Sequence, residues 1–141
     1  MSKHAELLTE AQAFFHLDSS KKTILVIGGS LGARTLNESV LNHIQTLVAS
    51  NVQVIWQCGK NYLSQIEEQF EDSWKSTAQV HAFIQRMDLA YASADVIISR
   101  AGALSVSELT LIGKPCILVP SPNVAEDHQT KNAMALVQQD A

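Results

Sequence analysis

Residues 23–34 of the chain read Thr-Ile-Leu-Val-Ile-Gly-Gly-Ser-Leu-Gly-Ala-Arg, and this stretch constrains how the rest of the chain can fold. The run Thr23–Ile27 is apolar and rich in β-branched residues, which is typical of a strand buried on both faces. A glycine-rich turn follows at Gly28–Gly32. Apolar residues then recur at spacings of three and four within Leu36–Val48, which indicates a helix. A strand, a turn and a helix in this order form the first part of a βαβ unit.

The same alternation continues along the chain. Further strands are predicted at Val52–Trp56, Val80–Ile84, Val96–Ser99 and Cys116–Val119. Helical spacing of apolar residues is found within Leu7–Phe15, Leu63–Phe70, Met87–Ala94, Val106–Ile112 and Ala133–Val137. Since helices that join parallel strands cover the sheet, the sequence predicts an α/β fold, a Rossmann-like parallel sheet with helices on both faces.

The predicted elements divide the chain into two parts. Residues 1–21 are expected to hold a helix and a polar lead-in, and residues 22–141 a single Rossmann-like domain. The first helix precedes the first strand without a partner of its own, and the last helical pattern calls for another strand. We therefore expect both ends to be cut from a longer protein, so that the domain is truncated at its C-terminal end.

Composition and charge narrow the class of protein. The 141 residues include 10 Lys plus Arg and 14 Asp plus Glu, a formal net charge of −4, which argues against binding of nucleic acid through charge. Hydrophobic residues make up 46% and charged residues 17%, as in a packed globular domain. No run approaches the ~18 apolar residues of a membrane span, and the start lacks an apolar signal core. Cys58 and Cys116 form no C-x-x-C pair, so we expect a cytosolic domain.

The glycine-rich segment Gly28–Arg34 is the first candidate binding site. Glycines let a ligand approach the backbone, and the helix that follows begins with unpaired N–H groups and a partial positive charge, so the segment suits a phosphate or diphosphate. A tight turn without a ligand explains the same residues. A P-loop requires Gly-Lys-Ser/Thr, whereas the chain has Ala33–Thr35 at this spacing. A dinucleotide fingerprint requires a glycine in place of Ser30 and an acid that Gln57–Gly59 does not supply.

The segment Ser99–Glu108 is the second candidate and lies between a predicted strand and a predicted helix. Gly102 and the N–H groups after it form another helix start that suits an anion. Glu108 follows Ser105 by three positions, so the two share a helix face. A carboxylate there can accept both hydroxyls of a ribose, yet Ser105 and Glu108 also match a capping box that would only stabilise the helix.

A third segment begins at Pro120–Asn123 and reaches Asn132. Gln129 and Asn132 are three residues apart, and amides bind sugar hydroxyls because each carries a donor and an acceptor. An ordinary polar helix start accounts for the same pattern. The sequence has no Asp-x-Asp pair for a metal-bound diphosphate and no metal-ligand spacing among its histidines.

The three segments together resemble the C-terminal half of the MurG family of bacterial N-acetylglucosaminyltransferases. The residues that carry the resemblance are Ile24–Arg34 with Leu36-Asn37, Ser99–Glu108, and Asp127-His128-Gln129 with Asn132-Ala133. Phe83-Ile84 before Met87 is also similar to the exit of the third strand in that family. The resemblance runs from about Lys22 to the end of the chain and keeps the family's order of motifs.

The resemblance implies half of a GT-B glycosyltransferase, in which two Rossmann-like domains enclose the active site. In this family the C-terminal half binds the donor UDP-GlcNAc. The N-terminal half binds the lipid acceptor and the membrane surface and holds the expected general base. The resemblance implies that the complete enzyme is an inverting hexosyltransferase, which adds GlcNAc to undecaprenyl-diphosphate-linked muramoyl pentapeptide and so converts lipid I to lipid II. It acts in peptidoglycan synthesis, and so in cell shape and division, as a peripheral protein on the cytoplasmic face of the inner membrane.

The resemblance also implies roles for individual residues. Those expected to contact the donor are Gly29, Ser30, Gly32, Ile84, Arg100, Gly102, Ala103, Leu104, Ser105, Glu108, His128 and Gln129. Among them, Ile84 would contact uracil through its backbone and Glu108 would bind the ribose hydroxyls. Both helix starts would bind the diphosphate, whose charge Arg100 could stabilise. His128 and Gln129 would lie near the GlcNAc hydroxyls, with His128 in the place of a glutamine that some relatives carry.

From these features we expect the fragment to bind UDP-GlcNAc without catalysing transfer alone, and to need neither a metal nor another cofactor. We expect no nucleic-acid partner and no membrane-spanning segment. Two other interpretations stay open. The chain could belong to another GT-B transferase or to a UDP-sugar epimerase, or it could be a stand-alone nucleotide-binding regulatory module.

Overall fold

Five strands and four helices make up the part of the chain that the computed structural model describes, residues 3–28, 34–100 and 115–119. The strands are β1 (Lys22–Ile27), β2 (Val52–Gln57), β3 (Ala78–His81), β4 (Val96–Arg100) and β5 (Cys116–Val119). The helices are α1 (Lys3–Phe14), α2 (Arg34–Ala49), α3 (Leu63–Gln69) and α4 (Met87–Ser93), with a short 3-10 turn at Asp72–Trp74. Strand and helix alternate here as the sequence predicts.

The strands form one parallel sheet in the order β3-β2-β1-β4-β5. β1 lies at its centre, and all of its residues after Lys22 are buried. Every residue of β2 is buried as well. The prediction of strands buried on both faces is therefore confirmed for these two, and the reason is their central position between helices.

Two separate cores cover the two faces of the sheet. The first joins β1 and β2 to α2 and α3, and its buried residues include Ile24, Val26, Leu36, Ile44, Trp56 and Ile66. The second joins the sheet to α1 and α4, and its buried residues include Ala11, Phe15, Leu25, Ile55, Leu89 and Ile97. Neighbouring residues of β1 alternate between the two cores, because successive side chains of a strand point to opposite faces. The predicted α/β fold with helices on both faces is confirmed.

The N-terminal helix α1 has its partner in α4, which the sequence pattern did not reveal. Phe15, just after α1, is buried in the same core as Leu89 and Ala90 of α4. The lead-in is also joined to the sheet, since Gln53 of β2 accepts from the Asp18 N–H at 2.9 Å and donates to the Asp18 carbonyl at 2.8 Å. Residues 1–21 remain an expected lead-in segment, but their described part packs on the domain.

Strand β3 differs from the prediction in its bounds. The sequence predicts a strand over Val80–Ile84, whereas β3 covers Ala78–His81. Its register with β2 runs from Val54 opposite Ala78 to Gln57 opposite His81, so β3 ends level with its neighbour. The apolar residues Phe83 and Ile84 therefore lie beyond the strand. Their apolar character continues that of the strand, so the sequence pattern does not show where β3 ends.

The helices predicted within Val106–Ile112 and Ala133–Val137 lie outside the described residues. Among the helices of the described ranges, none combines the length and the apolar character that crossing a lipid bilayer requires.

Candidate functional site

The candidate site lies at the edge of the sheet where the strands end. All pairings are parallel, so the five carboxyl ends share this edge. The chain adds β2 and β3 on one side of β1 and then crosses to add β4 and β5 on the other. In open α/β sheets, ligands bind at such a reversal of strand order, outside the carboxyl ends. Here the reversal lies between β1 and β4.

The ends of β1 and β4 are level with each other, because Ile27 is paired with Ser99. The first two candidate segments begin at Gly28 and Ser99, and the structure thus brings their starting points together. In the sequence, Gly28 and Ser99 are some seventy positions apart. The sheet makes them neighbours at the point where a ligand is expected.

At the end of β1, Gly28 is buried and its N–H donates to the Gln57 carbonyl oxygen at 3.0 Å. This bond extends the pairing of β1 with β2 by one residue. Gly29, Ser30 and Gly32, predicted to bind the diphosphate, lie outside the described residues. Helix α2 then begins at Arg34, whose Nε donates to the exposed Glu38 carboxylate at 3.0 Å.

Asn37, in the first turn of α2, joins that helix to the end of β2. Its Nδ2 donates to the Cys58 carbonyl at 2.9 Å, and its Oδ1 accepts from Nε1 of Trp56 at 3.1 Å. Asn37, Trp56 and Cys58 are all buried. Because buried polar groups cost free energy unless they are paired, this arrangement holds the start of α2 at a defined position against the sheet.

Ile84 is the predicted uracil contact whose surroundings the structure describes. Its side chain is 3% exposed, and its N–H donates to Oε1 of Gln57 at 2.8 Å. The adjacent main-chain bond, from the Cys58 N–H to the His81 carbonyl, is the last one between β2 and the end of β3. The Gln57 side chain therefore supplies the next acceptor after β3 has ended.

Two neighbours of Ile84 shape the same end of the sheet. Phe83 is 60% exposed, so an aromatic face is available to solvent beside the predicted uracil contact. On the other side, the Arg86 guanidinium pairs with the Asp88 carboxylate through two contacts of 3.0 Å and lies 3.7 Å from Glu10 of α1. These ion pairs connect the turn before α4 with α1.

At the end of β4, Ser99 is buried and Arg100 is the last residue of the strand. Gly102, Ala103, Leu104, Ser105 and Glu108 lie outside the described residues, as do His128 and Gln129. The described residues thus include the framework of the predicted site, with Ile84 as a predicted contact. The roles of the other predicted residues stay predictions.

The buried thiol at this edge is a poor nucleophile. Burial raises the pKa of Cys58 to about 11, and its Sγ donates to the Gly59 carbonyl at 3.4 Å. Burial also raises the pKa of Cys116. A thiol with a raised pKa stays protonated near neutral pH, and the thiolate is the reactive form. In the described ranges, no group of three or more His, Cys, Asp and Glu side chains is arranged to hold a metal ion.

A groove of about 390 Å³ lies between α2 and α3. Its lining includes Arg34, Glu38, Leu41, Tyr62 and Ile66. Of the predicted donor contacts, Ile84 is described and does not line this groove. Arg34 and Asn37, in the first turn of α2, line the groove, so it reaches the helix start that follows the glycine-rich segment.

Comparison with known proteins assigns the family. The family model described as "Glycosyltransferase family 28 C-terminal domain" matches residues 23–141. The chain belongs to this family. The resemblance to a GT-B glycosyltransferase is confirmed at the level of family and fold.

Two curated relatives show how close the match is within family 28. A protein of Flavobacterium psychrophilum is 58% identical over 132 residues, which cover 91% of this chain and 34% of the relative. A protein of Parabacteroides distasonis is 58% identical over 132 residues, which cover 94% of this chain and 36% of the relative. Both are named UDP-N-acetylglucosamine–N-acetylmuramyl-(pentapeptide) pyrophosphoryl-undecaprenol N-acetylglucosamine transferase. The chain spans about a third of the length of these relatives.

Solved structures agree with the family 28 assignment. The crystal structure of Acinetobacter baumannii MurG is 36% identical, with a TM-score of 0.63 over 90% of this chain and 37% of that one. An ADP-heptose lipopolysaccharide heptosyltransferase II of E. coli is 11% identical, with a TM-score of 0.67 over 100% of this chain and 54% of that one, a likeness of fold alone. The resemblance to the MurG family, drawn from the sequence motifs, is confirmed.

Two residues of the site framework were not recognised as such in the sequence. The sequence places Gln57 at the end of a predicted strand and Asn37 within a motif, and neither position by itself indicates a role. The available signal was an amide at the end of a buried apolar strand and another within the apolar face of a helix. Such residues are seldom buried unless they are hydrogen-bonded, so each calls for a partner.

Proposed function

We propose that this chain is the donor-binding part of a glycosyltransferase that moves GlcNAc from UDP-GlcNAc to a lipid-linked muramoyl pentapeptide. The observation that carries the proposal is the pairing of β1 with β4 at the reversal of strand order, with Ile27 opposite Ser99. Two segments that suit a diphosphate begin at these neighbouring strand ends. The names of relatives that are 58% identical support the choice of donor and acceptor.

The two helix starts at this edge of the sheet suit the reaction, because negative charge must be stabilised on the departing UDP. When the bond between the sugar C1 and the diphosphate oxygen breaks, negative charge develops on the departing UDP. The N-terminus of α2 offers unpaired N–H groups and a partial positive charge, and the helix expected after Gly102 would offer a second such end. Fixed donors of this kind stabilise developing charge because they need no reorganisation during the reaction. Asn37 holds α2 in position for this task through its two buried hydrogen bonds.

The uracil end of the donor would lie at the exit of β3. The N–H of Ile84 is donated to Gln57, so a base that contacts this residue through its backbone would donate to the Ile84 carbonyl oxygen. The exposed ring of Phe83 offers an aromatic face for stacking beside it.

The remaining roles rest on the sequence motifs. We assign Gly29, Ser30 and Gly32, with Gly102 and Ala103–Ser105, to the diphosphate, which Arg100 would also neutralise. Glu108 would bind the ribose hydroxyls. His128 and Gln129 would contact the GlcNAc hydroxyls.

Catalysis requires a second domain in this proposal. The acceptor hydroxyl attacks C1 from the face opposite UDP, which inverts the anomeric centre, and a base takes its proton. Acceptor site and base belong to the N-terminal half of a GT-B enzyme, so this chain alone would bind the donor without turning it over. We further propose that the whole protein works at the cytoplasmic face of the bacterial inner membrane during peptidoglycan synthesis.

Calorimetric titration of the chain with UDP-GlcNAc tests the proposal, with ADP-ribose and NAD as competing nucleotides. We expect binding of UDP-GlcNAc and of UDP, and much weaker binding of both adenine nucleotides. Absence of any preference for uridine nucleotides would overturn the proposal. A series that varies only the sugar of the UDP-sugar separates a GlcNAc transferase from another UDP-sugar enzyme of the same fold.

A further inference from the structure

The groove between α2 and α3 opens at the same edge of the sheet as the candidate site. Helices α2 and α3 follow the carboxyl ends of β1 and β2, and the groove begins between Arg34 in the first turn of α2 and Tyr62 just before α3. We call this end, between Arg34 and Tyr62, the mouth of the groove. Farther along, Leu41 and Ile66 line the groove with apolar surface. Its volume of about 390 Å³ is within the range of ligand sites in proteins.

The turn between β2 and α3 places Lys60 beside the mouth. The turn is fixed at its base, because the Cys58 carbonyl accepts from Nδ2 of Asn37 at 2.9 Å and the Cys58 N–H donates to the end of β3 at 2.9 Å. It closes where the Tyr62 N–H donates to the Gly59 carbonyl at 3.2 Å. Gly59 has a φ of 92°, in the left-handed region that favours glycine. The exposed side chain of Lys60 therefore extends from a backbone that is held in place.

The mouth of the groove is positively charged. Nε of Arg34 pairs with the Glu38 carboxylate at 3.0 Å, while the Nη groups of Arg34 donate no hydrogen bond among the described residues. Lys60 has no ion-pair partner in the part of the chain that the structure describes. Two cations thus accompany one carboxylate, in a chain whose formal net charge is −4. Arginine and lysine side chains with free donors suit a carboxylate ligand.

The acceptor of the proposed function carries a carboxylate within reach of this mouth. In a muramoyl pentapeptide the amino end of the peptide is joined to the sugar, so the free end is a carboxylate. Because α2 and α3 pack on the face of β1 and β2, the groove lies one to two strand spacings, about 5–10 Å, from the reversal between β1 and β4. Five extended residues span about 17 Å. A peptide that starts from a sugar at the reversal is therefore long enough to reach the groove.

We propose, on the basis of the function proposed above, that Lys60 and Arg34 bind the C-terminal carboxylate of the acceptor's pentapeptide. The groove between α2 and α3 would take the residues that precede this carboxylate. The second domain would hold the muramoyl sugar, and this domain its peptide. The donor-binding chain would then also contribute to the choice of acceptor.

The test is the dissociation constant of N-acetylmuramoyl pentapeptide, measured by NMR titration of the isotope-labelled chain in the presence of saturating UDP. The peptide is used with a free C-terminal carboxylate and with a C-terminal amide. Wild type should bind the free acid about tenfold more tightly than the amide, the effect of roughly one hydrogen bond between charged groups. Lys60→Met should weaken binding of the free acid by about tenfold. It should not weaken binding of the amide, which lacks the group that Lys60 binds.

Lys22→Met is the matched control. Lys22 is also an exposed lysine, but it is the first residue of β1 and lies at the opposite edge of the sheet. This variant loses the same charge and should leave both dissociation constants unchanged. Equal weakening by Lys22→Met and Lys60→Met would mean that only the net charge matters, and it would overturn the proposal.

The amide signals of the chain show where the peptide binds. We expect the free acid to shift the signals of Tyr62 and Gln65, which line the groove, while UDP stays bound. A peptide that displaces UDP would bind through the donor's diphosphate site, and this result would overturn the assignment to the groove.

The outcomes separate the two proposals. A wild-type chain that binds neither UDP nor UDP-GlcNAc overturns the proposed function, and the peptide site with it. A chain that binds UDP but binds neither form of the peptide, or binds both forms equally, overturns only the peptide site.

Discussion

Nε1 of Trp56 donates a hydrogen bond to Oδ1 of Asn37 at 3.1 Å, and this contact fixes the first turn of α2 to strand β2. The other end of the Asn37 amide donates to the Cys58 carbonyl at 2.9 Å. The buried side chain of Asn37 therefore pairs with two groups, the indole N–H of Trp56 in β2 and the main-chain carbonyl of Cys58 just after β2. The helix start assigned to the diphosphate depends on this connection for its position.

Asn37→Ala should lower the free energy of unfolding by about 2–4 kcal/mol, because it leaves two buried groups without partners. Urea unfolding followed by circular dichroism measures the change. Asn42→Ala is the control, since Asn42 lies on the same helix and is exposed. Its effect should stay within about 0.5 kcal/mol. Equal losses in the two variants would contradict the importance of the buried amide.

The hydrogen bond between Trp56 and Asn37 should appear as a coupling energy. A double-mutant cycle with Trp56→Phe and Asn37→Ala should give about 1 kcal/mol of non-additivity in the free energy of unfolding. Trp74→Phe serves as the comparison, because the Trp74 ring packs edge-on against Phe70 with centroids 5.2 Å apart. A cycle of Trp74→Phe with Asn37→Ala should be additive. Coupling of the same size in both cycles would argue for a general effect of indole loss.

His81 should make the fold less stable in mild acid. Burial lowers the pKa of His81 below its ordinary value of 6.5, while its Nε2 lies 2.8 Å from Oε1 of Gln79. The unfolded chain then binds more protons than the folded chain as pH falls. The contribution of neutral His81 to the free energy of unfolding is therefore complete above about pH 6.5. It is lost as the pH decreases through the pKa that His81 has in the folded chain.

The measurement is the free energy of unfolding across this pH range for wild type and His81→Gln. The free energy of unfolding should decrease less between neutral pH and mild acid in His81→Gln than in wild type. An identical pH dependence in wild type and His81→Gln would refute this prediction.

Cys58 should react slowly with alkylating reagents in the folded state. Its pKa is raised from 9.0 to about 11 by burial, so at pH 8 its thiolate fraction is about a hundredfold smaller than that of an ordinary cysteine. Iodoacetamide labelling of Cys116→Ser, which keeps only Cys58, measures the rate. The rate should rise to that of a free thiol in denaturant. Rapid labelling of the folded chain at pH 8 would show that the thiol is not buried as described.

Glu108→Ala should weaken UDP binding by about 1–3 kcal/mol if the carboxylate binds the ribose hydroxyls. Glu108→Gln distinguishes this role from helix capping, because glutamine serves equally in a capping box but lacks the charge. We expect Glu108→Gln to weaken binding while leaving the thermal unfolding temperature nearly unchanged. Unchanged affinity for UDP in both variants would favour the capping role.

Much of the architecture could be predicted from local pattern. The run Thr23–Ile27 indicated a buried strand, and the spacing within Leu36–Val48 indicated a helix, because burial imposes a period on apolar residues that does not depend on the partner. The exit of β3 was less predictable. Phe83 and Ile84 are apolar like strand residues, but β3 ends where its pairing with β2 ends. That end depends on both strands and cannot be deduced from the sequence of β3 alone.

The candidate site shows the same division. The residue types of the glycine-rich segment and of Ser99–Glu108 suit an anion such as a diphosphate, since backbone freedom and helix starts are local properties. Together with the third segment they carry the resemblance to a family. The sequence of each strand does not indicate which strands are its neighbours in the sheet, because buried parallel strands have similar composition. The order with β1 next to β4, and the bonds from Gln57 to Ile84 and from Asn37 to Cys58, arise only when distant parts of the chain pack together.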